Sequence, residues 1–146
     1  MTLYLDTSVI LPALLHRHEN YPSCRALLRQ QLSNNANLIT AAHTYGELYR
    51  HLTRNIPPFE LAPLLASEAL LDKLPKIITF IEASLTIYHS AIARCGTSEH
   101  RGAIIYDALH LELALAEGAT VLYTYNTKDF NRLLIPTDAL RVEGVN

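Results

Sequence analysis

Short apolar runs rich in β-forming residues alternate along this chain with stretches of helical periodicity, and that alternation leaves few architectures open. Leu3-Tyr4-Leu5, Asn37-Leu38-Ile39-Thr40, Lys76-Ile77-Ile78-Thr79-Phe80-Ile81 and Thr120-Val121-Leu122-Tyr123 read as strands, with Arg141-Val142 a short edge strand near the end. Helices are predicted from Tyr21 to Leu32, His43 to Thr53, Phe59 to Asp72, Ser84 to Cys95 and Ile104 to Glu117, with Gly96 and Gly118 as stops. Directly after the first strand, Asp6-Thr7-Ser8 supplies side chains suited to starting a helix through Val9-Ile10-Leu11. Strands alternating with helices imply a parallel sheet covered on both faces. The expected fold is α/β, a three-layer α/β/α sandwich with a short parallel sheet and much helix. Leu and Ala fill 43 of the 146 positions, which raises the expected helix share. With no repeat, charge run or Gly/Ser-rich linker, residues 1–146 are expected to form a single domain.

Hydrophobic residues make up 49% and charged residues 18% of the chain, which excludes a disordered polar tail. A formal charge of −2 excludes holding nucleic acid by bulk positive charge, so any such contact must come from a local patch. No apolar run approaches the roughly 18–20 residues of a membrane span. The first residues carry no basic segment of the kind that opens a secretory signal, and Cys24 and Cys95 are isolated thiols. A cytoplasmic protein with reduced, buried cysteines is expected.

In an open parallel sheet, ligands bind outside the carboxyl ends of the strands. Asp6 ends the first strand, Glu47 lies on the helix after the second, Asp107 sits near the start of an apolar helix, and Asn126 and Asp129 follow the fourth strand. Singly, each has an ordinary explanation: a helix cap for Asp6, a solvated charge for Glu47, a dipole-favoured acid for Asp107. Together they bring acidic and amide oxygens to one sheet edge. Such a group repels itself unless a cation joins it, and hard ions such as Mg²⁺ or Mn²⁺ prefer oxygen ligands. Carboxylates around such ions are the usual equipment for phosphodiester hydrolysis. His43, Glu47 and His51 share a helical face but lack a third protein ligand beyond that helix or a motif such as HExxH, so no zinc site is expected. His110 reads as a partly exposed histidine and Glu112 as a surface residue.

Four segments resemble the motifs of the PIN-domain family, most closely its VapC group of bacterial toxin ribonucleases. Leu5-Asp6-Thr7-Ser8-Val9-Ile10 is similar to the opening motif, and Thr44-Tyr45-Gly46-Glu47-Leu48 to the segment with the second acid. Ile105-Tyr106-Asp107-Ala108-Leu109-His110-Leu111 resembles the third motif, and Tyr123-Thr124-Tyr125-Asn126-Thr127-Lys128-Asp129-Phe130 the fourth. The resemblance spans essentially the whole chain. It implies a Mg²⁺- or Mn²⁺-dependent endoribonuclease with Asp6, Glu47, Asp107 and Asn126 as catalytic metal-site residues. Thr7, Ser8 and Thr124 would support the carboxylates through their hydroxyls. The fourth family position is often Asp. Here Asn126 offers an amide oxygen without charge, and Asp129 follows three residues later, so either could complete the metal set.

The resemblance also implies RNA as substrate, a homodimer, and a small antitoxin protein that holds the toxin inactive. Arg50 and Arg54, three and seven residues after Glu47, are candidate RNA-phosphate contacts. Arg101, Lys128 and Arg132 lie close in sequence to the third and fourth motifs. The helices near Tyr21–Leu32 and Phe59–Asp72 carry more Leu than one covered face requires, as expected of a partner surface. The competing reading is a degenerate PIN domain that binds RNA or a protein without cutting, with Asn126 as the feature in its favour.

Overall fold

The computed structural model describes residues 1–146. Five strands, β1 (Thr2–Leu5), β2 (Asn37–Ala41), β3 (Thr79–Ile81), β4 (Val121–Tyr123) and β5 (Arg141–Glu143), form one parallel sheet in the order β3-β2-β1-β4-β5. Seven helices accompany it: α1 (Thr7–Ala13), α2 (Tyr21–Ser33), α3 (Thr44–Leu52), α4 (Pro63–Glu68), α5 (Leu85–Thr97), α6 (Ile104–Ala116) and α7 (Thr127–Leu133).

The two-residue period of the strands divides the core. Leu3, Leu5, Leu38 and Val121 pack with Val9 and Ile10 of α1, Cys24 and Leu28 of α2, Leu48 and Leu52 of α3 and Ala66 of α4. Tyr4, Ile39 and Leu122 point the other way, into Ile87 and Ala91 of α5, Ala108 and Leu111 of α6 and Phe130 of α7. Helices α1–α4 therefore cover one face and α5–α7 the other. This is the expected three-layer, helix-rich sandwich. Both cysteines are buried and unpaired.

The sheet order reverses at β1, with β2 and β3 laid to one side and β4 and β5 to the other. The carboxyl ends of β1 and β4 flank the switch point where open α/β sheets present a crevice. Leu5 pairs with Tyr123, and the Asp6 N–H donates to the Tyr123 carbonyl at 3.0 Å. Asp6 and Thr124 thus leave the sheet side by side.

Several boundaries differ from the sequence expectation. The helix expected from Phe59 starts at Pro63, whose fixed φ suits a first turn. The backbone just before it is committed elsewhere: Ile56 and Phe59 bridge each other, and the Leu61 N–H donates to the Leu52 carbonyl. Ala69–Lys73 then forms a π-helical turn and Leu74–Lys76 a 3₁₀ turn, so β3 begins at Thr79 rather than Lys76. Gly118 does end α6, at φ +66°, with the Ala119 N–H donating to the Ala114 carbonyl at 2.9 Å. Gly96 does not end α5. It lies inside the helix, and the left-handed residue is Glu99, with the His100 N–H closing on the Cys95 carbonyl at 2.9 Å. The apolar surplus expected on α2 is covered. Leu64, Leu65 and Leu71 are exposed as expected, and Leu85, Tyr88 and Ile92 add an exposed row on α5.

Candidate functional site

Asp6 stands where a residue capping α1 would stand, yet its side chain caps nothing. Its Oδ2 instead accepts hydrogen bonds from Ser8 Oγ at 2.6 Å and Thr124 Oγ1 at 2.8 Å. Each hydroxyl also accepts a backbone N–H from the loop after β4, Ser8 from Tyr125 at 3.0 Å and Thr124 from Asn126 at 2.9 Å. The start of α1 and the exit of β4 are thereby tied through one buried carboxylate. Asp6 Oδ1 faces His110 Nε2 at 3.8 Å.

Glu47 lies in the first turn of α3, where its Oε2 accepts a hydrogen bond from Thr7 Oγ1 and its Oε1 lies 3.6 Å from His43 Nε2. Asp107 lies in the first turn of α6 and accepts at Oδ2 from Asn126 Nδ2 at 3.4 Å. It is the amide nitrogen of Asn126, rather than the expected oxygen, that faces this carboxylate. Burial, and then the negative charges of Asp6, Asp129 and Glu47, push the Asp107 carboxyl up to about 6. Asp129, on α7, is paired with Arg132 at 3.3 Å. Arg101 and Arg132 line an open cleft together with Asp107 and Asp129.

Three carboxylates, from the end of β1, from α3 and from α6, thus approach one edge of the sheet, and the charges of Asp6 and Glu47 act on Asp107. An oxygen-donor set with excess negative charge fits a hard divalent cation, which would remove that repulsion.

Some expectations need correcting. His110 is 3% exposed rather than partly exposed, with Nδ1 2.7 Å from the Tyr4 hydroxyl and Nε2 3.3 Å from His43 Nε2. A signal was available: His110 interrupts the otherwise apolar body of α6 one turn after Asp107. His51 does not join His43 and Glu47; His110 does, from another element. Burial, then the neighbouring His110, hold the His43 ring below its usual pKa. Glu112 is no surface residue, because its carboxylate is bound by Arg94 at 2.6 Å. Arg54 lies past the end of α3, with its guanidinium 5.5 Å from the Phe59 ring centre, while Arg50 is exposed on α3. Arg101 and Arg132 line the Asp107 cleft. Among the tyrosines near the motifs, Tyr4 is buried in the core, Tyr45 stacks on Phe80, and Tyr106 is exposed.

Residues 3–134 match the PIN domain family. No curated protein matches the chain. Among solved structures, the chain is similar to one from VapBC2 of Rickettsia felis bound to a promoter DNA fragment, at 20% identity and TM-score 0.72, with 100% of both chains covered. It is similar to Mycobacterium tuberculosis VapC20, a toxin that cleaves the sarcin-ricin loop, at 14% identity and TM-score 0.71, covering 91% of this chain and 96% of that one. VapBC-1 of nontypeable Haemophilus influenzae is similar at 21% identity and TM-score 0.69, covering 99% and 98%. At these identities the likeness to solved structures is one of fold.

Proposed function

The chain belongs to the PIN domain family, and from that premise we propose that it is a divalent-metal-dependent endoribonuclease, the toxin of a toxin–antitoxin pair. One observation carries the reading most: Asp6, Glu47 and Asp107 reach one sheet edge from three separate elements, where burial and then the charges of Asp6, Asp129 and Glu47 push the Asp107 carboxyl up to about 6. A plain set of caps and surface acids has no reason to converge in this way. The similar VapC20 is itself a toxin that cleaves the sarcin-ricin loop, and the other similar structures are of VapBC2, bound to a promoter DNA fragment, and of VapBC-1.

Asp6, Glu47 and Asp107 would hold Mg²⁺ or Mn²⁺, with Asn126 or Asp129 beside it. When bound, such an ion supplies Lewis-acid stabilisation of charge on a phosphodiester undergoing hydrolysis. Ser8 and Thr124 fix the rotamer of Asp6, and Thr7 fixes Glu47, so the carboxylates are held in place before any ion or substrate arrives. Asn126 steadies Asp107 without adding charge, and the pairing of Asp129 with Arg132 supports a role for it further from the ion. Arg101 and Arg132 supply the local positive charge that a chain of net charge −2 needs beside a polyanion.

RNA cleavage by the purified protein is expected with Mg²⁺ or Mn²⁺, to stop in excess EDTA, and to return when the ion is restored. A rate undiminished in EDTA would overturn the metal role. RNA retention without cleavage under any divalent ion would favour the degenerate, binding-only reading, which the neutral Asn126 supports.

The exposed apolar residues on α4 and the following turn (Leu64, Leu65, Leu71) and on α5 (Leu85, Tyr88, Ile92) support two partners, a second copy of this chain and a small antitoxin. Sedimentation at micromolar concentration is expected to give twice the 16.3 kDa chain mass. A clean species at the chain mass would rule out the dimer. A small protein encoded beside this one is expected to co-purify and to suppress cleavage; failure to do either would remove the toxin assignment while leaving the nuclease.

A further inference from the structure

We propose that His43, Glu47 and His110 form a transition-metal site of their own, taking a borderline cation such as Zn²⁺ through two imidazole nitrogens and one carboxylate oxygen. The site stands beside the acidic cluster and draws on Glu47 and Asp6 of it, but it does not depend on the chain cutting RNA. Its ligand chemistry is different: Mg²⁺ takes oxygen donors, whereas imidazole suits Zn²⁺ and its neighbours in the first transition row.

The geometry of the donor atoms favours one shared ion. His43 Nε2 lies 3.3 Å from His110 Nε2 and 3.6 Å from Glu47 Oε1. With metal–nitrogen bonds of about 2.0–2.1 Å, two ligands of a tetrahedral ion stand about 3.3–3.4 Å apart. One ligand atom from each residue falls within 4.8 Å of the others, and the longest edge closes by rotation of Glu47, whose side chain is partly open to solvent.

The surrounding hydrogen bonds leave the right atoms free. Thr7 engages Glu47 Oε2, leaving Oε1 toward His43. Ser8 and Thr124 engage Asp6 Oδ2, leaving Oδ1 3.8 Å from His110 Nε2 as a fourth donor. His110 is buried, and its Nδ1 meets the Tyr4 hydroxyl at 2.7 Å. An outer hydrogen bond of this kind is how metal-binding histidines are oriented: with Nδ1–H donating to Tyr4, Nε2 turns its lone pair inward. His43 is only partly buried, which gives an ion a way in from solvent.

Co²⁺ added to the metal-stripped full chain is the probe, because tetrahedral ligation by imidazole gives intense visible d–d absorption that Mg²⁺ and carboxylate sites do not produce. One equivalent is expected to develop the band, and Zn²⁺ to abolish it by displacement. His43→Gln, at a partly exposed position, is expected to weaken Co²⁺ binding by at least about tenfold. His110→Gln should do the same in a protein whose circular dichroism and melting confirm that it folds. Asp107→Asn should keep the band. Absence of the band, or a band indifferent to His43→Gln, would overturn the site and leave the two rings as a simple hydrogen-bonded pair. Loss of the band in Asp107→Asn with retention in His43→Gln would place the ion on the carboxylates and overturn it equally. Mg²⁺-supported RNA cleavage measured on the same samples separates this failure from failure of the nuclease reading.

Discussion

Asp107→Asn is expected to melt at a higher temperature than the parent protein in EDTA at pH 7, and to cleave RNA slower by at least about a hundredfold with Mg²⁺ present. Both effects follow from one charge. A carboxyl held at about 6 instead of 3.8 resists ionisation by about 3 kcal/mol before solvent screening, and by about 1–2 kcal/mol after it. The folded chain binds this proton more tightly than the unfolded chain does. The group's contribution to stability is therefore full below about pH 4, falls as pH rises to about 6, and stays lost above that. Replacing Asp107 with the neutral isostere removes the cost of burying its charge and then the repulsion from Asp6, Asp129 and Glu47, and the amide oxygen can still accept from Asn126. At pH 7 the gain should read as about 3–6 °C in thermal melting, and it should vanish near pH 4. The same substitution takes one charged oxygen ligand from the metal set. Equal melting temperatures at pH 7 would mean that the Asp107 charge is neither buried at a cost nor crowded by its neighbours, and cleavage within about tenfold of the parent would remove Asp107 from the metal site.

The second large effect lies away from the cleft. Arg94 of α5 donates from Nε to Glu112 of α6 at 2.6 Å, from Nη1 to Asp138 at 2.8 Å and to the Leu133 carbonyl at 2.9 Å. The side chains of Arg94, Glu112 and Asp138 are only 9%, 15% and 8% exposed. Burial pushes the Asp138 carboxyl up, but hydrogen bonds from Arg94 and from the Ile135 N–H outweigh it and hold the group below its ordinary value. Arg94→Ala would strand two poorly solvated carboxylates, a loss of about 3–5 kcal/mol. Melting should fall by about 10 °C or more, checked by thermal and urea unfolding. The network ties α5, α6 and the segment before β5 together, so that loss should reach the whole domain. A change under about 1 kcal/mol would show that the three charges are better solvated than their burial implies.

The elements differ in how far their residues alone reveal them. The strands were readable where apolar runs are short and bounded, as at Leu3–Leu5 and Val121–Tyr123. The helices were readable where the period is long enough to repeat, as at Ile104–Ala116. Periodicity fails where a local commitment overrides it: the Ile56–Phe59 bridge and Pro63 move the start of α4, and Glu99 rather than Gly96 ends α5. The seven residues of α7 are too few to show a period, and only the burial of Phe130 and Leu133 explains why they are helical.

The sequence by itself determined the layered architecture and named Asp6, Glu47, Asp107 and Asn126, because strand period, helix period and acids behind strand ends are local patterns. Tertiary structure decided which of these residues meet. The reversal of sheet order at β1 sets Thr124 against Asp6, although 118 positions separate them. Helix packing brought His110 to His43 across 67 positions, paired Glu112 with Arg94, and set Arg101 and Arg132 beside Asp107. Side-chain charges and lone pairs act over a few ångströms, and distances of that size between remote segments are fixed only when the strands pair and the helices pack over them.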